Sequence, residues 1–284
     1  MKTTISNTTL TATINHKGAE LISLKNQTSD REYIWGGNPE YWGKHAPVLF
    51  PIVGTLKNNS YIFNDTSYKL SRHGFARDMV FELIKETEYE AVFSLKADEI
   101  TKEWYPFDFE LHLTYTLTDS ELIIRYNVMN NGSHAMYFSI GGHPAFALPN
   151  QFERYSLKFE PNEKLVSYLL DDDLLSNTTK QTDLKQSKVP LTYSLFENDA
   201  LIFKELQSNQ IQLLENNKPI LNFKFRDFPN FGIWTKLKAP FICLEPWAGY
   251  SDLDTTSGNI EEKEGIQKLD RNISKEYSFS IEIL

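Results

Sequence analysis

Cysteine is nearly missing from this chain: Cys243 is the one thiol in 284 residues, which excludes an intrachain disulfide framework and a cysteine metal cluster. Long apolar runs are missing as well. No stretch approaches the roughly 20 apolar residues of a membrane span, and the opening MKTTISNTTLTATI lacks the apolar centre of a signal peptide. The expectation is a cytoplasmic protein, in which sequons such as Asn7-Thr8-Thr9 are incidental. Positive charge is outweighed, with 29 Lys and Arg against 38 Asp and Glu and a formal charge of −9, so neither nucleic acid nor an anionic membrane is an expected partner. There is no G-x-S-x-G elbow for a nucleophilic serine and no glycine loop of the phosphate-cradling kind. No H-x-H or H-E-x-x-H pair places metal ligands at close spacing. No metal and no cofactor are expected.

What the chain does have is aromatic residues, at 13%, and a period of two. In ELHLTYTL (110–117), Leu111, Leu113, Tyr115 and Leu117 fall on one face and His112, Thr114 and Thr116 on the other; TDSE then turns into LIIRYNVMN, which reads as a hairpin. The segments 155–160, 199–206, 209–216, 219–225, 231–236, 240–247 and 277–284 repeat the pattern with turn residues between them. Long amphipathic helices do not alternate with these strands. The prediction is therefore an all-β protein, a large antiparallel β-sandwich forming a single domain over 1–284. The acidic runs DDD (171–173) and EEKE (261–264) read as solvated loops.

Three stretches place polar chemistry in apolar frames. GGHPAF (141–146) sets His143 between two glycines and a proline, a position that aims a side chain; glycine opens unusual backbone conformations and Pro144 holds its predecessor extended. A turn with a surface histidine is the plain alternative. SRHGFARDMVF (71–81) gathers Arg72, His73 and Arg77. In PFICLEPWAGYSD (240–252), Phe241, Cys243 and Glu245 share one strand face, so the carboxylate sits among buried neighbours, and burial raises its pKa as a general base near neutrality requires. A buried glutamate satisfied by an arginine is the alternative. Cys243 reads as a small core hydrophobe, and His16, His45, His112 and His134 as structural or surface histidines. Imidazole, carboxylate and aromatic platforms without a metal suit proton transfer on a sugar.

These stretches also resemble a known family. KGAELISL (17–24), YIWGGNPEYWGKHAPVLFPIVG (33–54), RHGFARD (72–78), YPFDFELHLTYTL (105–117), FSIGGHPAF (138–146), IWTK (233–236), CLEPWAG (243–249) and EEKEGIQKL (261–269) are similar, in number and order, to the aldose 1-epimerase (galactose mutarotase) family in its LacX-type branch. The resemblance implies a galactose mutarotase-like supersandwich whose concave face binds a hexose. It makes Glu245 the base that takes the anomeric hydroxyl proton and His143 the acid that protonates the ring oxygen. His73 then becomes a hydrogen-bond donor nearby, with Arg72, Arg77 and Asp199 as further polar contacts. Trp247, Trp234 and Phe146 are candidate walls, with core packing an equal alternative for each. In the expected bell-shaped pH profile, the acidic limb reports deprotonation of Glu245 and the basic limb loss of the His143 proton. A phosphorylated hexose and a homodimer are both compatible with this reading.

Two departures stand out. Thr55 follows PIVG where the family commonly has an arginine, with Lys57 as a possible substitute, and Tyr250 stands in AGYSD where the branch often has another, only Asp252 being retained. Two other function classes fit the same residues: a non-catalytic sugar-binding or sugar-sensing module, and a retaining glycosidase using Glu245 with Asp252 as a carboxylate pair roughly 5 Å apart.

Overall fold

Strict alternation builds the expected hairpin. In the computed structural model, which describes residues 1–284, strands Phe109–Thr118 and Glu121–Asn130 pair antiparallel from Thr118 opposite Glu121 to Phe109 opposite Asn130. Asp119 closes the turn in the left-handed region. Phe109, Leu111, Leu113, Tyr115 and Leu117 all point inward and are buried, while the intervening residues are half-buried at the surface. This hairpin is central to a nine-stranded antiparallel sheet. In spatial order its strands are Lys188–Pro190, Tyr155–Lys158, Gln210–Glu215, Lys218–Lys224, Ser274–Ile283, Glu121–Asn130, Phe109–Thr118, Glu90–Lys96 and Glu82–Glu86.

A second sheet of eight strands runs Leu174–Thr182, Leu165–Asp171, Leu201–Phe203, Asn230–Trp234, Phe241–Ala248, Ile140–Gly142 and Val48–Leu49, with Ala145–Ala147 also pairing to Phe241–Ala248. Every residue of Phe241–Ala248 is buried. Ile242, Leu244 and Ala248 belong to the main core between the sheets. Phe241 and Cys243 on the other face pack with Trp35, Ala145 and Ala239, and Trp247 packs with Leu49, Ile202 and Tyr250. Glu245 lies between these two apolar clusters, on the face the alternation predicts. A three-stranded sheet, Lys2–Ser6, Leu10–Asn15 and Glu20–Asn26, carries the N-terminal segment. The single α-helix, Glu99–Trp104, starts from an Asp98–Thr101 capping box, and no helix is long and apolar enough to cross a membrane.

Two segments differ from expectation. The strand read at 199–206 shortens to Leu201–Phe203, because Asp199 adopts φ 69° and turns the chain before it. In EEKE, Lys263 is not solvated: it is 5% exposed and its ammonium lies 2.9 Å from the buried Asp252 carboxylate, a charge that is tolerated inside only because it is paired.

Candidate active site

Segments far apart in sequence meet at one cavity of about 300 Å³ on the face of the eight-stranded sheet turned away from the main core. Arg72, His73, His143, Asp199, Glu245 and Trp247 all line it, as do Arg77 and Trp234. Phe146 does not. In Ala145–Ala147 the alternation gives the outward place to Ala145 and sends Phe146 into the core, where its ring meets Phe223. Trp42, which the sequence reading passed over, stacks on His143 with ring centroids 4.7 Å apart. It sits on a loop, where no periodicity marks it; the YWGKHAP run around it was the available signal.

His143 is held by its backbone. It lies between two short strands that both pair with Phe241–Ala248, Gly141 opposite Trp247 and Ala145 opposite Cys243, which carries it alongside Glu245. Its N–H donates to the Pro47 carbonyl at 3.1 Å, and the Pro144 carbonyl accepts from Leu244 at 3.1 Å. The glycines before it act differently from expectation. Neither Gly141 nor Gly142 adopts a left-handed conformation. A Cβ on Gly141 would stand 2.5 Å from Trp247 Cδ1, and one on Gly232, on the opposite flanking strand, 2.6 Å from Trp247 Cη2. The two glycines leave room for the indole to lie across both strands.

His143 Nε2 and Glu245 Oε2 are 3.3 Å apart, with side chains 10% and 2% exposed. Glu245 Oε2, His143 Nδ1 and Trp247 Nε1 are buried without a hydrogen-bond partner in the protein. Burial pushes the Glu245 carboxyl well above its ordinary range, opposed by the charge of Arg72 and reinforced by Asp199. Burial pushes His143 down to about 3, with Arg77 and Arg72 adding to the effect. Both directions favour the pair with its proton on the carboxyl and the imidazole neutral. This reverses the expected limbs of the pH profile, because burial disfavours both charged forms at once.

His73 is neutral as well, lowered by burial first and then by His143, Arg72 and Arg77. Its Nδ1 accepts from Gly54 N–H at 3.1 Å and its own N–H returns to the Gly54 carbonyl at 2.8 Å, which holds His73 at φ 67°. With Nδ1 accepting, Nε2 carries the hydrogen, so Arg72 Nε at 3.3 Å is a contact between two donors and not a hydrogen bond. Arg72 is anchored at the cavity mouth by Asp173, 2.7 Å away in the DDD turn, and lies 4.0 Å from Asp199.

Lys57 does not replace the absent arginine: its ammonium donates to the Asp254 carbonyl and it does not line the cavity. Tyr250 donates to Glu264 at 2.8 Å, away from the cavity. Asp252 takes no part in a carboxylate pair, since one oxygen accepts from Lys57 N–H and the other from Lys263, both at 2.9 Å. The glycosidase arrangement thus lacks its second carboxylate at that position. For metals, His143, Cys243 and Glu245 bring one ligand atom each to within 4.8 Å of one another. The sequence reading missed this group because Cys-x-Glu meets the histidine across a strand pairing and not along the chain.

The aldose 1-epimerase family model matches residues 1–265. The chain is 33% identical to the LacX proteins, chromosomal and plasmid, of Lactococcus lactis subsp. lactis, over 99% of this chain and 98% of theirs. A galactose mutarotase-related enzyme from Lactobacillus acidophilus superposes with a TM-score of 0.94 at 35% identity, covering 100% of this chain and 97% of that one. A galactose mutarotase-like protein from Lactobacillus casei gives 0.95 at 30% identity, with 100% of both chains covered. The antiparallel supersandwich, the match across nearly all of its length and the set of residues facing the cavity lead to one assignment: the chain belongs to the aldose 1-epimerase family.

Proposed function

We propose that this protein is an aldose 1-epimerase that interconverts the α and β anomers of a hexose by opening and closing its ring. The observation that carries the reading is the His143 Nε2–Glu245 Oε2 pair, 3.3 Å apart and facing a cavity, with the carboxylate oxygen otherwise unpartnered. The ring oxygen and the anomeric hydroxyl share one carbon, so two proton-transfer atoms this close can each come within the roughly 2.6–3.2 Å reach that transfer requires. Glu245 takes the hydroxyl proton while His143 delivers one to the ring oxygen, which receives the electron pair of the breaking C1–O5 bond. Rotation about C1–C2 and reversal of both transfers close the other anomer. Substrate binding to the pair has to move the resting proton from the carboxyl to the imidazole, a shift across the 3.3 Å between Oε2 and Nε2.

His73 donates from Nε2, and Arg72 and Asp199 meet hydroxyls at the mouth. Trp234 and Trp247 offer faces for C–H groups of the sugar. The acidic surface and the buried, unpaired Cys243 suit a reducing cytoplasm. Polarimetry on freshly dissolved pure anomers of galactose, glucose and their 6-phosphates tests the proposal. Faster equilibration of at least one is expected; binding without any acceleration would make the protein a sugar-binding module.

A further inference from the structure

The geometry points to a second use of the catalytic pair: His143 and Glu245, which line the cavity, form with the buried Cys243 behind them a binding site for a borderline-soft divalent cation such as Zn²⁺, and occupancy of that site switches the proposed epimerase off. The inference rests on the acid/base reading only for its consequence, not for the binding itself.

Cys243 and Glu245 are two residues apart on one strand and so project from the same face, and the pairing of Ala145 with Cys243 and Gly141 with Trp247 brings His143 in from the neighbouring strand. One ligand atom from each lies within 4.8 Å of the others, and all three residues are buried. Ligands about 2.0–2.1 Å from a tetrahedral zinc sit roughly 3.3–3.4 Å from each other. His143 Nε2 and Glu245 Oε2 are 3.3 Å apart. At that distance the two atoms are nevertheless not aligned as a hydrogen bond, and Oε2 has no other partner. That is the disposition of two ligands about a third atom. The thiol lies within 4.8 Å of both atoms and has to move inward to reach the about 2.3 Å of a zinc–sulfur bond.

Ligation displaces two protons to solvent, one from the thiol and one from the Glu245 carboxyl, so that thiolate and carboxylate together cancel the two charges of the ion and leave the buried site neutral. His143 and Glu245 line the cavity, which is the side from which an ion would enter. Imidazole and thiolate select zinc, cobalt or cadmium over Mg²⁺ and Ca²⁺, which prefer all-oxygen shells. With the ion in place, Glu245 Oε2 is occupied and the carboxylate is a far weaker base, and His143 Nε2 has no lone pair to carry a proton.

Because Cys243 is the chain's single cysteine, a sulfur-to-metal charge-transfer band identifies the site without any activity assay. The purified full chain, reduced and freed of metal, is titrated with Co²⁺ and followed in the near ultraviolet, with equilibrium dialysis for stoichiometry. One cobalt per chain and a sulfur-to-cobalt band are expected. Cys243→Ala should abolish the band and weaken binding by more than about 100-fold, beyond the ten- to hundredfold loss that follows removal of an outer-shell partner. His143→Asn should weaken binding similarly, and serves if the alanine variant does not fold. On any aldose that the wild type epimerises, Zn²⁺ should stop turnover, a chelator should restore it, and Mg²⁺ should do nothing; Cys243→Ala should keep turnover and resist zinc. No sulfur-to-cobalt band, or equal cobalt affinity in wild type and both variants, would overturn the site. Cobalt binding without a sugar reaction would leave the site standing and remove the epimerase reading instead.

Discussion

Strands Phe109–Thr118 and Phe241–Ala248 each run through the middle of a sheet, yet they bury themselves differently. Along the first, fully buried residues alternate with partly exposed ones; along the second, all eight residues are buried. One face of the second strand serves the same core as the first. Its other face is closed by two small apolar clusters, and Glu245 is set between them. The difference teaches where reactivity comes from. Burial raises Glu110, on the outward face of Phe109–Thr118, but its contacts with His112, Lys96 and Ser94 outweigh this and hold it below its ordinary range, whereas covering the second face of Phe241–Ala248 strips Glu245 of water while leaving it one imidazole and a cavity.

The largest expected effect breaks that second face chemically. Glu245→Gln should lower kcat about 10²–10⁴-fold, roughly 3–5 kcal/mol of barrier, while circular dichroism and the melting transition show a folded protein. The regular strand should respond in the opposite way: Leu113→Ala, at a fully buried position, should cost about 2–5 kcal/mol in denaturant unfolding and leave kcat of the folded enzyme unchanged.

The same contrast explains what was legible in the sequence. The hairpin at 109–130 and the inward set Leu111, Leu113, Tyr115 and Leu117 follow from period two alone. So does the shared face of Phe241, Cys243 and Glu245. Phe146 was misread because a three-residue strand offers too little pattern to say which way an aromatic points. Trp42 escaped because loop residues carry no period, and the glycines before His143 were read for backbone freedom, whereas the missing side chain of Gly141 makes room for Trp247 and that of Gly142 for Phe279 and Tyr126. The buried Lys263–Asp252 pair joins two loop segments and the His143–Cys243–Glu245 group arises from strand pairing between distant segments, neither of which a local pattern encodes. The direction of burial on Glu245 was readable from its strand; the lowering of His143 was not, because it comes from walls contributed by other segments.

A smaller effect is expected at the glycine that accommodates Trp247. Gly141→Ala should displace the indole and cost about 1–3 kcal/mol of stability, with slower turnover from a shifted cavity wall; unfolding curves and kcat on the same preparation check both.

Smaller still is a tilt of stability with pH. Glu245 has its folded pKa above the unfolded 4.5, so its favourable contribution is complete below 4.5 and is lost as pH rises through the raised value. The melting temperature of Glu245→Gln should therefore gain on wild type as pH increases. His143 runs the other way: its folded value of about 3 lies below 6.5, so its contribution is complete above 6.5 and is lost as pH falls towards 3. His143→Asn should flatten that acid-side decline. Parallel melting curves for wild type and variants across the whole range would count against this electrostatic account.

The central claim is that His143 and Glu245 act as one proton-transfer unit, and anomer interconversion by His143→Asn, Glu245→Gln and the double variant tests it most directly. Groups that work in a single coupled step are grossly non-additive. The account predicts that each single substitution loses about 10²–10⁴-fold in kcat and that the double variant falls little below the slower single one. Losses that multiply, or near wild-type turnover by folded His143→Asn, would contradict it.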